Sequence, residues 1–146
     1  RKKVPSRQGM NATVQTSRLF AARVESTPLV LETVRKAIAE KNLPLLLEAV
    51  MRDSNDMHAT MLDTYRPLFY LNDASREIIG EVHALNEAAG EPVAGYTFDA
   101  GPNAHVFTIE KYAGAVQKML AAVEGVENVQ VSKLGDGPRE LKKHLF

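Results

Sequence analysis

The residues best placed for chemistry surround one carboxylate. In the stretch Tyr96-Thr97-Phe98-Asp99-Ala100-Gly101-Pro102-Asn103, Asp99 ends a strand-like apolar run at 93–98 and precedes a second such run at 104–110. A carboxylate at the end of an apolar strand carries a desolvation cost and needs a reason to be there. Gly101 lets the backbone approach a ligand or take a positive φ. Pro102 fixes φ and removes a donor. Two readings follow from these residue types. Asp99 caps its own hairpin loop by a side-chain hydrogen bond, or it is a rigidly held general base.

A second cluster lies near the start of the chain. Ser6, Arg7 and the backbone N–H groups around Gly9 and Met10 converge at the N-terminus of a helix expected over residues 10–25. A helix N-terminus carries free N–H donors and about half a positive charge, so a hydroxyl and a guanidinium there suit a phosphate or carboxylate. The alternative is a capped helix with a solvated arginine. His58 could act as a ligand or an acid–base group, but it has no second histidine at ligand spacing. A lone histidine of this kind is usually structural, at best paired along its helix with Asp63. Tyr65, Phe69 and Tyr70 form an aromatic group in a loop expected to pack on the core.

The elements that position these residues follow from periodicity and punctuation. Thr27 as N-cap and Pro28 at the first helical position begin a second helix that ends near residue 41. Pro44 opens a third, carried by Leu45, Leu46, Leu47, Val50 and Met51. The polar stretch 52–63 keeps helical spacing at Met57, Met61 and Leu62, with Asp53 or Ser54 as a break or cap. Asn72 or Asp73 caps a fourth helix over 73–88, which Gly90 stops. The period then becomes extended. Residues 93–99 and 104–110, joined by a short Gly-Pro loop, form an antiparallel pair. A fifth helix spans 111–124 before Gly125. Residues 126–134 alternate valine with polar residues, as an antiparallel strand with one wet face does. The turn 135–138 and a basic tail close the sequence.

This order gives a helical half followed by β-β-α-β. Three strands are few for so much helix, and a fourth strand ahead of Arg1 would complete an open antiparallel sheet. The start at Arg1-Lys2-Lys3 agrees with a piece of a longer protein.

Composition narrows the function. The 146 residues suit one domain, with 45% hydrophobic and 25% charged residues. Eighteen basic side chains balance eighteen acidic ones. This argues against bulk electrostatic binding of nucleic acid or of an anionic membrane. No apolar run is long enough to span a bilayer. With no cysteine, thiolate metal sites and thiol nucleophiles are excluded. A cytoplasmic location is the default expectation.

Several motifs together resemble one family. Pro5-Ser6-Arg7-Gln8-Gly9-Met10 with Thr13-Val14-Gln15-Thr16-Ser17 is similar to the start of the C-terminal domain of diphosphomevalonate decarboxylase, within the GHMP kinase-like superfamily. So are Asp53-Ser54-Asn55, the run from His58 to Tyr65, Phe69-Tyr70-Leu71-Asn72-Asp73, and the stretch around Asp99. The likeness runs in order from about Lys3 to Phe107 and is loose beyond residue 110. It implies an α+β fold, ferredoxin-like, with an antiparallel sheet, helices on one face and a helix-rich insertion in the N-terminal half. It implies ATP-dependent decarboxylation of mevalonate 5-diphosphate to isopentenyl diphosphate, releasing CO2, ADP and phosphate, in isoprenoid and sterol biosynthesis. By the same resemblance Asp99 is the catalytic carboxylate. Ser6 and Arg7 contact the substrate diphosphate, Met10 and Ala100 line its pocket, and a homodimer is expected. The family's Gly/Ser-rich ATP loop has no counterpart here. ATP and Mg2+ are therefore expected mainly from an N-terminal domain outside this chain, residues 1–146 being the substrate domain and inactive alone. The alternatives are a related mevalonate-phosphate kinase or decarboxylase, and a non-catalytic α+β anion-binding module.

Overall fold

The computed structural model describes residues 4–140. Five helices and one antiparallel hairpin follow in the order α1 (Ser6–Thr16), α2 (Phe20–Ala39), α3 (Leu43–Leu62), α4 (Asp73–Ala89), β1 (Ala94–Phe98), β2 (Ala104–Thr108) and α5 (Glu110–Ala122). The architecture is α+β, as expected.

Strand β1 is the centre of the molecule. It pairs with β2 in the register Ala94 with Thr108 through Phe98 with Ala104. Four of its five residues are buried, whereas β2 alternates between half-buried and exposed. The reason is that α3 and α4 both pack against β1. Tyr96 and Phe98 are each 1% exposed and join Met51, Ile78, Val82, Val116 and Val123 in one core. Burying side chains of this size stabilises by about 1.5–3 kcal/mol each. Gly95 is required by the closeness of α3, since a Cβ there would lie 3.0–3.3 Å from side-chain and backbone atoms of Leu47.

Helix α3 begins as its residues dictate. The Asn42 side chain accepts from the Leu45 N–H, and proline stands in the first turn. It then runs unbroken through 52–62, because Ser54 turns inward, 2% exposed, and does not end the helix. Helix α4 opens with a reciprocal capping box between Asn72 and Ser75 and closes on Gly90 in the left-handed region, φ 75°.

The first helical region differs from expectation. A helix over 10–25 and another from Thr27 are replaced by α1 from Ser6 and α2 from Phe20, with Pro28 inside α2. The Asp63 carboxylate decides the break. It accepts from the Ser17 hydroxyl at 3.0 Å and from the N–H groups of Arg18 and Leu19 at 2.6 and 3.2 Å. A side chain some 45 residues away thus serves the free amides at the start of α2. Thr27 is not an N-cap; its hydroxyl bonds back to the Arg23 carbonyl at 2.8 Å. Asp63 is thereby occupied, so it does not pair with His58.

Two further expectations are corrected. Residues 126–134 form no strand, and the sheet has two strands among the described residues. Valine alternation creates a suitable face, but a strand also needs a neighbour to bond. Here residues 126–130 and 132 instead line a hollow of about 700 Å³ that also borders β2 at Ala104, His105 and Val106. Of the aromatic residues in the 64–71 loop only Tyr70 is buried, at 8%; Tyr65 and Phe69 are 79% and 77% exposed. Tyr70 is held because its ring stands over Gly9, where any Cβ would overlap the phenol oxygen, and its hydroxyl donates to the Val4 carbonyl. Part of the basic tail and Arg1, Lys2 and Lys3 lie outside the described residues.

Candidate active site

The position of Asp99 is set by the residue before it. The Phe98 N–H donates to Ser54 Oγ at 3.1 Å, and the Phe98 carbonyl lies 3.3 Å from His58 Nε2. Ser54 and His58 stand four apart on α3, one turn above the other on the same face. A carbonyl only accepts, so His58 Nε2 carries the proton of that bond. At the other end of β1 the Asn86 side chain of α4 makes a similar clamp, with both N–H groups of Val93 and Ala94 donating to its oxygen and its amide donating to the Ala94 carbonyl. The strand edge away from β2 is therefore bonded by helix side chains at both ends.

Beyond Phe98 the chain turns sharply. The Gly101 N–H donates to the Asp99 carbonyl at 2.7 Å. The Ser75 hydroxyl, at the start of α4, is 3.3 Å from the Pro102 carbonyl. Asp99 is exposed, and its carboxylate opens with Ala100, Gly101, Pro102, Asn103 and His105 onto a hollow of about 330 Å³. Among the described residues the carboxylate accepts no hydrogen bond and enters no ion pair. It does not cap its own loop, and the held backbone leaves both oxygens available.

The candidate residues are only partly brought together. Ala100 shares the hollow with Asp99, whereas Ser6, Arg7 and Met10 do not line it. Ser6 and Arg7 occupy the first turn of α1 behind Pro5, which has extended backbone. The helix N-terminus thus falls four residues earlier than expected and includes both side chains directly. Arg7 and Met10 are exposed. The two clusters are tied to one segment: Gly9 of α1 rests on Tyr70, and Ser75 reaches Pro102.

His58 is half-buried, and burial is the largest influence on its imidazole, holding its pKa below the ordinary histidine value. The Phe98 carbonyl and the negative charge of Asp99 oppose this less strongly. Its ring meets Phe98 edge-on, with centroids 6.4 Å apart. Sequence reasoning missed Ser54 and His58 as partners of the Asp99 strand. The available signal was their i, i+4 spacing on a helix with a buried face.

The described residues do not fit a nucleotide–metal site. They contain no group of three His, Asp or Glu side chains placed to share a cation. Gly9 lies inside α1 and Gly101 in the β1–β2 loop, so no continuous glycine cradle for a triphosphate is formed. No step is assigned through such a group on this chain.

Comparison with known proteins decides the family. A family model, the mevalonate 5-diphosphate decarboxylase C-terminal domain, matches residues 1–130. The chain belongs to that family. The chain is 45% identical over 126 residues to the diphosphomevalonate decarboxylase mvd1 of Aspergillus fumigatus, covering 86% of this chain and 31% of that protein. It matches the mevalonate diphosphate decarboxylase from Enterococcus faecalis, solved in a study of mevalonate diphosphate mediated ATP binding. That match has a TM-score of 0.74 and 32% identity, over 80% of this chain and 36% of the other. A structure of MDDEF in complex with MVAPP, AMPPCP and magnesium aligns with a TM-score of 0.77 and 31% identity, over 86% and 38% of the two chains. The chain thus spans about a third to under half of the length of the curated relatives it matches.

Proposed function

We propose that this domain is the C-terminal substrate half of an enzyme that converts mevalonate 5-diphosphate and ATP to isopentenyl diphosphate, CO2, ADP and phosphate. The observation that carries this reading is the Asp99 carboxylate, uncommitted and exposed at the end of a buried strand whose backbone is held on both sides. A tertiary alcohol is a poor nucleophile, and a positioned carboxylate contributes roughly 10²–10⁴-fold as a general base. Asp99 takes the hydroxyl proton as the alcohol oxygen bonds to the transferred phosphoryl group. That group later leaves as phosphate with the C–O electron pair. The pair from the breaking bond to the carboxylate forms the double bond and releases CO2.

Ser6, Arg7 and the α1 N-terminus bind the substrate diphosphate in this reading, with Met10 and Ala100 against the carbon skeleton. Phosphoryl transfer depends on positioning and charge neutralisation, which a guanidinium and free helix amides supply. ATP and Mg2+ bind to an N-terminal domain, so residues 1–146 alone do not turn over. The exposed apolar side chains Met10, Val14, Leu29 and Ile38 of α1 and α2 support burial against another domain or a second copy in a homodimer. The enzyme serves isoprenoid and sterol biosynthesis in the cytoplasm.

The test is release of phosphate and CO2 from mevalonate 5-diphosphate by the full-length protein. Asp99→Asn is expected to lower turnover by at least about 100-fold. Stability should change by less than about 0.5 kcal/mol, because the exposed carboxylate has no partner among the described residues. Wild-type turnover in Asp99→Asn sinks the catalytic role. Equal turnover of mevalonate 5-phosphate would move the substrate assignment to the related kinase or decarboxylase.

A further inference from the structure

We propose that His58 is a positioning residue for Asp99, acting through the peptide plane that joins Phe98 to Asp99. The proposal rests on the catalytic reading of Asp99.

The direction of the Asp99 side chain depends on ψ of Phe98 and φ of Asp99, the two rotations on either side of that peptide. The Phe98 carbonyl is the handle on the plane, and His58 Nε2 grips it at 3.3 Å. Ser54 holds the Phe98 N–H from one turn earlier on α3. The Phe98 ring is 1% exposed, so its Cα is anchored in the core. Downstream, the Gly101 N–H closes on the Asp99 carbonyl. Among these contacts only the His58 bond sets the tilt of the Phe98–Asp99 peptide from its carbonyl end. Without it no bond fixes the plane between the anchored Phe98 and the turn that begins at the Asp99 carbonyl, and the carboxylate swings with the plane. Burial keeps the imidazole below its ordinary pKa, so near neutral pH it is an uncharged N–H donor. Its role is then directional rather than electrostatic. A displacement near 1 Å can cost about 100-fold in rate.

Two polar replacements separate direction from bulk. Glutamine places an amide N–H near the position of Nε2, whereas asparagine is one methylene too short to reach the Phe98 carbonyl. In the full-length enzyme, His58→Gln is expected to keep kcat within about threefold, and His58→Asn to lose roughly 10–100-fold. KM for mevalonate 5-diphosphate should stay within about threefold in both, because the residue acts on Asp99 and not on substrate affinity. In an Asp99→Asn background the asparagine replacement should cost nothing further, the signature of two residues acting as a unit.

Equal kcat for His58→Gln and His58→Asn, at any level, overturns the proposal. So does a full additional loss of rate in the double variant. Wild-type turnover in Asp99→Asn overturns the catalytic reading and this proposal with it, so the two failures are distinct. If His58→Asn does not fold, His58→Gln decides alone: a kcat loss above tenfold with unchanged KM and unchanged thermal midpoint refutes positioning by that hydrogen bond.

Discussion

Replacing Asn86 by alanine should loosen the strand that carries the site while sparing its chemistry. The Asn86 oxygen accepts from the N–H groups of Val93 and Ala94, both at 2.9 Å, and its amide donates to the Ala94 carbonyl at 2.8 Å. Only one orientation of the amide satisfies two donors and one acceptor, so the geometry is unambiguous. Val93 and Ala94 are 2% and 0% exposed, and water cannot easily replace the lost partners. A typical hydrogen bond contributes about 1 kcal/mol net, and an orphaned buried group costs more, which puts Asn86→Ala near 3 kcal/mol. With a urea m-value of about 2 kcal/mol/M, the unfolding midpoint should fall by roughly 1.5 M at unchanged m. Asn86→Asp keeps an oxygen to accept from both N–H groups but turns the donor into an oxygen facing the Ala94 carbonyl, so it should also destabilise. The site lies at the far end of β1, roughly 17 Å along the strand at about 3.3 Å per residue. Below the transition, kcat of the full-length enzyme should therefore be near wild type. A midpoint shift under about 0.3 M for Asn86→Ala, or an Asn86→Asp variant as stable as wild type, would refute the clamp.

Other outcomes follow from the same structure. Arg7→Ala should raise the Kd of mevalonate 5-diphosphate more than that of ATP, measured by calorimetry on the full-length protein; equal losses would contradict a diphosphate contact. The folded state holds His58 below its ordinary pKa of 6.5, so the unfolded chain binds this proton more tightly. The linked stability is present above the ordinary value and is lost as pH falls through the lower folded value. Thermal midpoints of wild type should therefore drop more between pH 7 and pH 5 than those of His58→Gln, and parallel curves would refute the assignment. Asp63 is held below the usual carboxylate value first by the Ser17 hydroxyl and then by the Leu19 amide. Its contribution is present above the ordinary carboxylate range and lost as acid protonates it. Asp63→Ala should remove part of the acid sensitivity between pH 5 and pH 2, read by circular dichroism.

The local elements with self-contained signals were legible in the sequence. Pro44, Asn72 and Gly90 announce helix ends through atoms a few residues apart, so α3 and α4 start, and α4 ends, close to where those signals place them. The hairpin was legible for the same reason, because alternation and a Gly-Pro loop are local. The identity of the Asp99 loop was also carried by sequence, through the ordered likeness to one family.

Tertiary structure decided what depends on distant atoms. The break at 17–19 exists because Asp63 reaches two amides there, so Thr27-Pro28, locally a good helix start, sits inside α2. Residues 126–134 have the pattern of a strand but no bonded neighbour, and a strand is a property of a pair. Asp99 is the clearest case. Its residue type and loop allowed a turn cap or a base, and local pattern by itself favoured the cap. The fold separates them, because Ser54 and His58 of α3 hold the preceding backbone from the far side of the strand and leave the carboxylate facing an open hollow. Periodicity can place those two side chains on one helix face, but only packing brings that face against Phe98.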